Sequence, residues 1–366
     1  MKCISIEDFE KYKGICVLAE LNDGELGDAA IELVSEGRRL ADNMDSELTV
    51  LMLGSGIRDS ARGIAGYGAD RVIVCDDELL KVYNTNTYTK VVCNIIEEVK
   101  PDIFLISATA TGRDLAPRCA ARLKTGLNAD CTLLHSDKSS YLEYLATNSQ
   151  LNIPEMEKLV DERGLKMTMP AFGGQLMATI ICPDYRPQMA TVRPGVMQAG
   201  DFDAAKADAC KIEHFQCDLG QEDINTQIIE IISKAEDAMD LAKADVIVAV
   251  GRGIASDAGK GIELAEELAE LLGGVVGATR EVVSAGWMGE ERMIGQTGKI
   301  VRPKLYIALG ISGAIQHIGG IKDSDYIIAV NKDEKAPIFE MSDCGIVGDL
   351  FDVLPQLIGE IKRIKV

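Results

Sequence analysis

The sequence is short of positive charge. It contains 38 lysine and arginine residues against 58 aspartate and glutamate residues, which gives a formal net charge of −20. Binding to nucleic acid depends on a basic surface, and so does binding to anionic lipid, so we expect neither partner. The sequence also lacks an apolar run of about 18 residues, the length that a membrane-spanning helix requires. We therefore expect no membrane insertion.

Signals for metal binding are missing as well. The ten cysteines are scattered, and none lies in a CxxC pair. This absence argues against a zinc ribbon, an iron–sulfur cluster or a thioredoxin motif, and we predict no metal site. Cysteines within apolar runs such as RVIVC and ATIIC are expected to be buried free thiols. Because no signal peptide is evident, we expect a reducing, cytoplasmic environment.

The chain is long enough for two domains, and its pattern favours an α/β fold. Its 366 residues allow about two domains of roughly 150 residues each. In the first half, strand-like runs such as GICVLAE, ELTVLMLG and DIFLISAT alternate with segments of helical period. This alternation predicts a doubly wound domain with a mainly parallel sheet and helices on both faces. KMTMPAFGGQLMATIICP instead resembles two strands joined at Gly173-Gly174.

A second, smaller doubly wound domain is predicted after a linker. Prolines and glycines concentrate after Arg186, and we place the linker at about 196–222, although Lys211 to Cys217 has the pattern of a further strand. We assign 1–205 to the N-terminal domain and 206–366 to the second. The second domain contains the helix QIIEIISKAEDAMDLAKA, the strands DVIVAV, KLYIALG and DYIIAVN, and a final amphipathic helix, DLFDVLPQLIGEIKRI.

A serine between glycines follows the strand KLYIALG and raises the question of a catalytic nucleophile. GISGA resembles the G-x-S-x-G elbow of hydrolases, but Ala314 replaces the last glycine. A serine nucleophile also needs a histidine base. His317 lies only five residues after Ser312 on the predicted following helix, and no histidine comes later in the chain. We therefore predict no catalytic residue here.

The same turn has the features of a phosphate cradle. A strand that ends in glycine and leads into a helix through small residues exposes backbone N–H groups to an anion. Taken alone, a tight turn capped by Ser312 explains GISGA equally well. A second glycine turn, Gly251-Arg252-Gly253, follows DVIVAV. It matches neither the Rossmann fingerprint nor a Walker A loop, yet a guanidinium among glycines suits phosphate.

Further polar clusters follow or adjoin strand-like runs in the second half. They are Thr279-Arg280, Gly295 to Lys299, and Asn331 to Asp333. In doubly wound sheets, ligands bind at the carboxyl ends of the strands. The clusters together therefore predict an extended ligand with phosphates, sugar hydroxyls and a polar ring.

Several motifs resemble one family specifically. VAVGRGI, VGATR, GQTGKIV, YIALGISGAIQHIGG, IIAVNKD, APIF and CGIVGDLF occur in this order with short spacings. Together with ATATGRDLAPRCAARLKTGLNADC and ATVRPGVM, they are similar to the α subunit of electron-transfer flavoproteins over nearly the whole chain. The resemblance implies bound FAD, and it implies these cofactor-binding residues: Arg252, Thr279, Arg280, Ile294, Gly295, Gln296, Thr297, Gly310, Ser312, Gly313, Ala314, Ile315, Gln316, His317, Asn331, Asp349 and Leu350.

The resemblance also implies individual roles. Arg252 and the Gly310–His317 turn would bind the phosphates and the flavin edge. Thr297 would hydrogen-bond flavin N5, and Arg280 would lie over the ring. His317 would face the pyrimidine O2. Asn331, with Asp349 and Leu350, would hold the adenosine end.

Electron transfer is the function that the resemblance implies. The chain would pair with a β subunit through its N-terminal domain and pass electrons between NADH and an acyl-CoA dehydrogenase-type flavoenzyme. An anaerobic metabolism with electron bifurcation to ferredoxin is left open. One alternative is a subunit of a dedicated NADH-dependent enoyl-CoA reductase complex. Another is a non-redox module that binds AMP or NAD. The segment 136–164 is longer than the family pattern, and we interpret it as a surface insertion rather than a lineage-specific contact.

Overall fold

The structure, a computed structural model, divides into two compact units. The first comprises Met1–Pro170 with Met177–Ile229, and the second comprises Ala171–Leu176 with Glu230–Val366. The residues that the structure describes are 9–22, 24–149, 151–162, 164–171, 176–226, 229, 241 and 244–365.

A seven-stranded sheet forms the centre of the first unit. The strands from the N-terminus to His214 are β1 (Ile15–Ala19), β2 (Leu21–Asn22), β3 (Glu25–Leu26), β4 (Leu48–Gly54), β5 (Arg71–Asp76), β6 (Ile103–Ser107), β7 (Leu127–Cys131), β8 (Leu133–His135), β9 (Lys166–Ala171), β10 (Leu176–Ile180), β11 (Gln188–Val192) and β12 (Lys211–His214). Seven of them form the sheet in the order β12-β5-β4-β1-β6-β11-β7, and every neighbouring pair is parallel.

Both faces of this sheet are covered. Along β1, Ile15 and Val17 pack into one apolar cluster, whereas Cys16 and Leu18 pack into another. Successive side chains along a strand point to opposite faces of the sheet, so the two clusters lie on its two sides. The helices of this part of the chain are α1 (Asp28–Asn43), α2 (Ala61–Ala65), α3 (Thr85–Val99), α4 (Ala110–Leu123), α5 (Lys138–Asn148), α6 (Ile153–Leu159) and α7 (Ala204–Ala209).

The second unit repeats this architecture. Its elements are β13 (Val246–Val250), β14 (Val275–Ala278), β15 (Leu305–Leu309), β16 (Ile327–Asn331), β17 (Cys344–Val347), α8 (Ala258–Leu272), α9 (Arg280–Ser284), α10 (Ile315–Ile318), α11 (Ile338–Met341) and α12 (Leu350–Lys365). The five strands are parallel and lie in the order β14-β13-β15-β16-β17. Ile247 and Ala249 of β13 face one core, and Val248 and Val250 face the other. The predicted α/β class, with mainly parallel doubly wound sheets, is confirmed.

The boundary between the units lies later than the predicted 205/206. Strand β12, expected from the run after Lys211, pairs in parallel with β5, with Lys211 opposite Arg71. This pairing adds an edge strand to the first sheet, so residues 206–229 belong to the first unit. The predicted helix QIIEIISKAEDAMDLAKA falls almost wholly outside the described residues.

The insertion 136–164 contains two helices next to a small antiparallel sheet. Strands β8 and β9 are antiparallel, and β10 is the other neighbour of β9. The predicted join at Gly173-Gly174 lies outside the described residues. Helix α5 buries Tyr141 and Leu145, whereas α6 buries no residue.

One predicted free thiol is bonded. The structure joins Cys75, at the end of β5, to Cys217, which lies just after β12. The prediction that the cysteine of RVIVC is free is therefore wrong, because the pairing of β12 with β5 brings together residues separated by 142 positions. Cys182, the cysteine of ATIIC, is a free thiol as predicted, but it is half-buried rather than buried.

Groups placed to bind a metal ion and membrane-spanning helices are both absent from the residues that the structure describes. No group of three or more histidine, cysteine, aspartate or glutamate side chains is placed to hold a metal ion in that part of the chain. Within the same residues, every helix is too short or too polar to cross a membrane.

Two helical glycines should respond oppositely to alanine. A Cβ on Gly112 of α4 would lie 1.8 Å from the carbonyl oxygen of Ser107, whereas a Cβ on Gly359 of α12 would meet nothing within 4 Å. We expect Gly112→Ala to destabilise the chain by about 1–3 kcal/mol or more. Gly359→Ala should stabilise it by about 0.5–1 kcal/mol, because alanine restricts the unfolded chain and favours helix. Calorimetric unfolding of both variants checks this, and a Gly112→Ala protein as stable as wild type would contradict it.

Candidate functional site

The carboxyl ends of the five strands in the second unit lie along one edge of its sheet. The strands are parallel, with Val250 opposite both Ala278 and Leu309. Because parallel strands end on the same side, the residues that follow them share this edge. The residues at this edge are Gly251, Thr279, Gly310, Asn331 and Gly348.

The two glycine turns at the centre of this edge are hydrogen-bonded to each other. The Gly253 N–H donates to the Gly310 carbonyl at 2.9 Å, and the Gly251 N–H donates to the Leu309 carbonyl at 2.8 Å. A Cβ on Gly253 would lie 2.6 Å from the Gly310 Cα. Gly310 itself has a φ of 60°, a backbone conformation that residues other than glycine rarely adopt. Sequence reasoning did not include Gly251 and Gly253 in the site, although the quoted VAVGRGI motif contains both.

The turn after β15 is closed from behind by α11. The Ile338 N–H donates to the Ser312 carbonyl at 3.1 Å. Gly313 has a φ of 86°, and a Cβ there would lie 2.3 Å from the Ile338 nitrogen. The side chain of Ser312 is exposed and directed away from the core, as are those of Ala314 and Gln316. The turn is thus fixed on one side and open on the other.

The helix that follows this turn is short. Helix α10 covers only Ile315–Ile318. A helix of one turn aligns few peptide dipoles, so the cradle depends on the backbone turn itself and on nearby side chains rather than on a helix macrodipole.

Cationic and hydroxyl groups without protein partners border the turns. The guanidinium groups of Arg252 and Arg280 are exposed, and neither makes an ion pair with any residue that the structure describes. The Thr279 side chain is only 4% exposed, yet its hydroxyl has no hydrogen-bond partner among those residues. A buried polar atom without a partner costs free energy, so an incoming acceptor or donor at Thr279 would be stabilised.

The loop that carries Gln296 and Thr297 is attached to α10. The Gln296 N–H donates to the Gln316 carbonyl at 2.7 Å, and the Gly298 N–H donates to the Gly295 carbonyl at 3.0 Å. Thr297 is exposed at the tip, while Ile294 is buried in the core. The structure therefore brings this predicted cluster next to the turn after β15.

The side chain of His317 is buried and hydrogen-bonded. It is only 6% exposed, and burial lowers the pKa of its imidazole. Its Nδ1 lies 3.1 Å from the Ile294 carbonyl oxygen, and its Nε2 lies 3.0 Å from the Tyr306 hydroxyl. Both ring nitrogens thus have protein partners, and the contact of His317 with the flavin O2 stays a prediction. Sequence reasoning missed Tyr306, because a tyrosine within an apolar strand resembles an ordinary core residue.

The residues predicted at the adenosine end also bond to the protein. The Asn331 amide donates to the Ile311 carbonyl at 2.8 Å, and its side-chain oxygen accepts from the Asp333 N–H at 3.0 Å. The Asp349 carboxylate accepts from the Phe351 N–H at 3.0 Å in the first turn of α12. Leu350 packs in the core beside Gly310. These residues shape the edge of the site.

Comparison with known proteins identifies both units. The family model described as "Electron transfer flavoprotein domain" matches residues 15–218, and the one described as "Electron transfer flavoprotein FAD-binding domain" matches residues 240–322. The acryloyl-CoA reductase electron transfer subunit beta of Anaerotignum propionicum is 51% identical, covering 97% of each chain.

Two further relatives extend the comparison. The electron transfer flavoprotein subunit alpha of Clostridium acetobutylicum is 45% identical over 96% of this chain and 97% of its own. The lactate dehydrogenase (NAD(+),ferredoxin) subunit LctC of Acetobacterium woodii is 38% identical over 97% of this chain and 78% of its own.

The described residues fit a dinucleotide cofactor. Within the part of the chain that the structure describes, Arg252 and Arg280 supply exposed positive charge without a counter-ion, and the Thr279 hydroxyl is buried without a partner. Between them, the interlocked turns present backbone that is already held in place by hydrogen bonds. A diphosphate has the charge and the acceptor oxygens that such groups recognise.

The interlocked turns make Gly253 a sensitive position for cofactor binding. Gly253→Ala should force the two turns apart, and overpacking of this kind costs about 1–3 kcal/mol. We expect FAD affinity to fall by roughly five- to hundred-fold, measured by fluorescence titration of the full chain. Gly259→Ala is the matched control, since a Cβ there approaches only the Asp257 carboxylate, at 3.9 Å. Unchanged affinity in Gly253→Ala would show that the turns can move apart without cost.

Proposed function

The chain belongs to the electron transfer flavoprotein family as an FAD-binding, electron-transferring subunit, and we propose that it is the α subunit of a heterodimer that links NADH to an acyl-CoA dehydrogenase-type flavoenzyme. The observation that carries this proposal is the edge of the second sheet, where the interlocked turns meet the uncompensated Arg252 and Arg280. The bound flavin would supply one- and two-electron redox chemistry, while the protein positions it and sets its electrostatic environment.

We propose that the groups at this edge divide the cofactor between them. Arg252 and the exposed face of the Gly310–Gln316 turn would hold the phosphates, together with the hydroxyl of Thr279. Gln296, Thr297 and Arg280 would approach the flavin ring. Asn331 and Asp349 would lie at the adenosine end, where their side chains hydrogen-bond to the local backbone. Support comes from the shared strand edge and from the open face of the turn.

The relatives suggest which redox partner to test first. One relative is named as a subunit of acryloyl-CoA reductase, at 51% identity, and another as a subunit of a lactate dehydrogenase that uses NAD(+) and ferredoxin, at 38% identity. The identity to the acryloyl-CoA reductase subunit is the higher of the two, and it supports a redox partner that acts on an acyl-CoA. A dedicated enoyl-CoA reductase complex is therefore the second candidate. The non-redox nucleotide module is not favoured, because the matched family model describes FAD binding.

Spectroscopy of the purified heterodimer tests the proposal directly. Flavin absorption bands should be present, and NADH should bleach them. NADH oxidation that reduces ferredoxin only when an enoyl-CoA and its reductase are also present would indicate bifurcation. NADH oxidation that reduces the enoyl-CoA at the same rate without ferredoxin would indicate simple transfer. Purified protein without flavin bands, and unable to take up FAD, would overturn the assignment. We also propose a cytoplasmic location, because NADH is a cytoplasmic reductant, and cell fractionation checks it.

Arg280 should raise the reduction potential of the flavin. Reduction adds negative charge to the ring, and a nearby cation stabilises that charge. At an exposed position the effect is about 1 kcal/mol, on the order of 40 mV for one electron. Arg280→Ala should therefore lower the potential by about this amount in a redox titration. Arg302→Ala is a suitable control, since Arg302 is an exposed arginine that is already paired with Asp323. Equal potentials in wild type and Arg280→Ala would argue against the proposed position.

We propose that the first unit contacts the β subunit through exposed apolar residues near β10. Met177 and Ile180 are each 46% exposed, and Ile181 is 36% exposed. Apolar residues clustered on a surface often mark a protein interface. Ile180→Asp should weaken association with the β subunit by about tenfold or more in a co-purification or titration assay. Val82→Asp, at a separate position 40% exposed, is the control. Normal association of Ile180→Asp would place the interface elsewhere.

A further inference from the structure

A cleft opens beside β14, which is an end strand of the second sheet. The cleft has a volume of about 710 Å³, and Gly274, Val275 and Val276 at the amino end of β14 form its floor. The groups proposed to bind the cofactor follow the carboxyl end of the same strand, starting with Thr279. The four residues of β14 separate its two ends by about 10 Å. This β14 cleft is therefore distinct from the site described above.

One face of α8 forms the first wall of the cleft. The helix contributes Ile262, Glu266, Ala269 and Glu270, which share a face because of their spacing. Glu266 and Glu270 are exposed, and neither forms an ion pair within the described part of the chain. By contrast, Glu267 of the same helix pairs with Lys362 at 2.6 Å. Two like charges one helical turn apart repel each other, so a cation bound between them would be stabilised.

The loop that follows α9 forms the second wall. Trp287 and Met288 line the cleft and are half-buried against an apolar core. The Trp287 N–H donates to the Val282 carbonyl at 3.2 Å, and the Arg292 guanidinium donates to the Val276 carbonyl at 3.1 Å. These bonds attach the loop to α9 and to β14, so the wall is in place before any partner binds.

The charge of the cleft is negative. Three glutamates, Glu266, Glu270 and Glu291, line it together with one cation, Arg292, whose guanidinium is bonded to β14. Lysine and arginine side chains combine a cation with an apolar stem, and the face of a tryptophan ring attracts cations. A basic side chain therefore matches both walls, with its cation toward the carboxylates and its stem against Trp287.

Backbone pairing is not open to a partner along this part of β14. The Val276 carbonyl accepts from Arg292, and the Ala278 carbonyl accepts from the Ile294 N–H at 2.9 Å. A strand can extend a sheet only where the edge has free backbone groups. We therefore expect recognition in the cleft to depend on side chains.

We propose that the β14 cleft docks an apolar segment, containing lysine or arginine, of a protein that joins the heterodimer from outside. Its cations would pair with Glu266 and Glu270, and its apolar groups would cover Trp287 and Met288. A protein bound there leaves the carboxyl edge of the sheet free for electron transfer. The basic charge of such a segment is complementary to a chain of formal net charge −20. The mention of the heterodimer rests on the proposed function.

The first test is the binding of a fluorescein-labelled peptide of alternating lysine and leucine to the full chain. Glu266→Gln/Glu270→Gln should raise the dissociation constant by about three- to tenfold, because two charge pairs are lost. Glu155→Gln/Glu157→Gln is the matched control, since it removes two exposed carboxylates from α6 and changes the net charge equally. The control should bind within about twofold of wild type, because salt screens exposed charges outside the cleft.

An equal loss of affinity in both double variants would overturn the proposal, since overall charge alone would then explain binding. The same conclusion would follow if neither variant bound the peptide more weakly than wild type.

The emission of Trp287 reports whether the peptide enters the cleft. Trp287 is the only tryptophan of the chain, so the indole emission of the chain comes from this ring. The lysine–leucine peptide should shift the emission to shorter wavelength, because the half-buried ring loses contact with water. A lysine–glycine peptide of equal charge should bind more weakly, since it lacks the groups that cover Trp287 and Met288. Unchanged emission at saturation, or equal affinity for the two peptides, would overturn the proposal.

The heterodimer tests where the partner comes from. It should bind the lysine–leucine peptide as the full chain alone does, because the proposed partner is neither subunit. Loss of binding in the heterodimer would show that the β subunit covers the cleft, and it would overturn the proposal. None of these measurements needs FAD or NADH. A chain that cannot take up FAD but binds the peptide as expected would overturn the proposed function alone, so the two failures are distinguishable.

Discussion

The hydrogen bond from the Gly253 N–H to the Gly310 carbonyl is the contact on which the site depends. It joins the turns after β13 and β15, the two strands at the centre of the second sheet's carboxyl edge. At this point the backbones approach so closely that a Cβ on either glycine would lie within 2.9 Å of the other turn. Because a backbone pair so close can shift little, the open face of the turn after β15 has a defined shape before any ligand binds.

Charged and neutral side chains have different roles around this pair of turns. Positive charge is provided by Arg252 and Arg280, which have no counter-ion among the described residues, in a chain whose formal net charge is −20. Neutral groups, by contrast, hold the structure: Asn331 bonds to the turn from behind, and His317 joins α10 to the neighbouring loop. A flavin in this setting would meet cations where negative charge develops and uncharged, fully bonded groups where the fold needs rigidity.

Much of the fold and of the site could be predicted from local patterns, and the failures share a cause. Alternating apolar runs and helical periods predicted both parallel sheets, and the order of short motifs indicated the family. The pairing of β12 with β5 and the protein partners of the His317 ring were not predicted, and Cys75, which is bonded to Cys217, was predicted wrongly to be free. Each depends on which residues meet across long stretches of chain, and no periodicity within one segment contains that information.

The sequence by itself determined the class of the protein. The spacing of apolar residues shows whether a segment is a strand or a helix, because each type of element buries its side chains with its own period. The glycine motifs at strand ends indicate a ligand site, because ligands bind at the carboxyl ends of parallel strands. The tertiary structure alone decided which of those motif residues face outward. Arg252, Arg280 and Thr297 are exposed at the edge, whereas His317, Asn331 and Leu350 turn to protein partners. The reason is geometric: a side chain's direction is set by the packing of β15, α10 and α12 around the turns, and this packing forms only when distant strands pair.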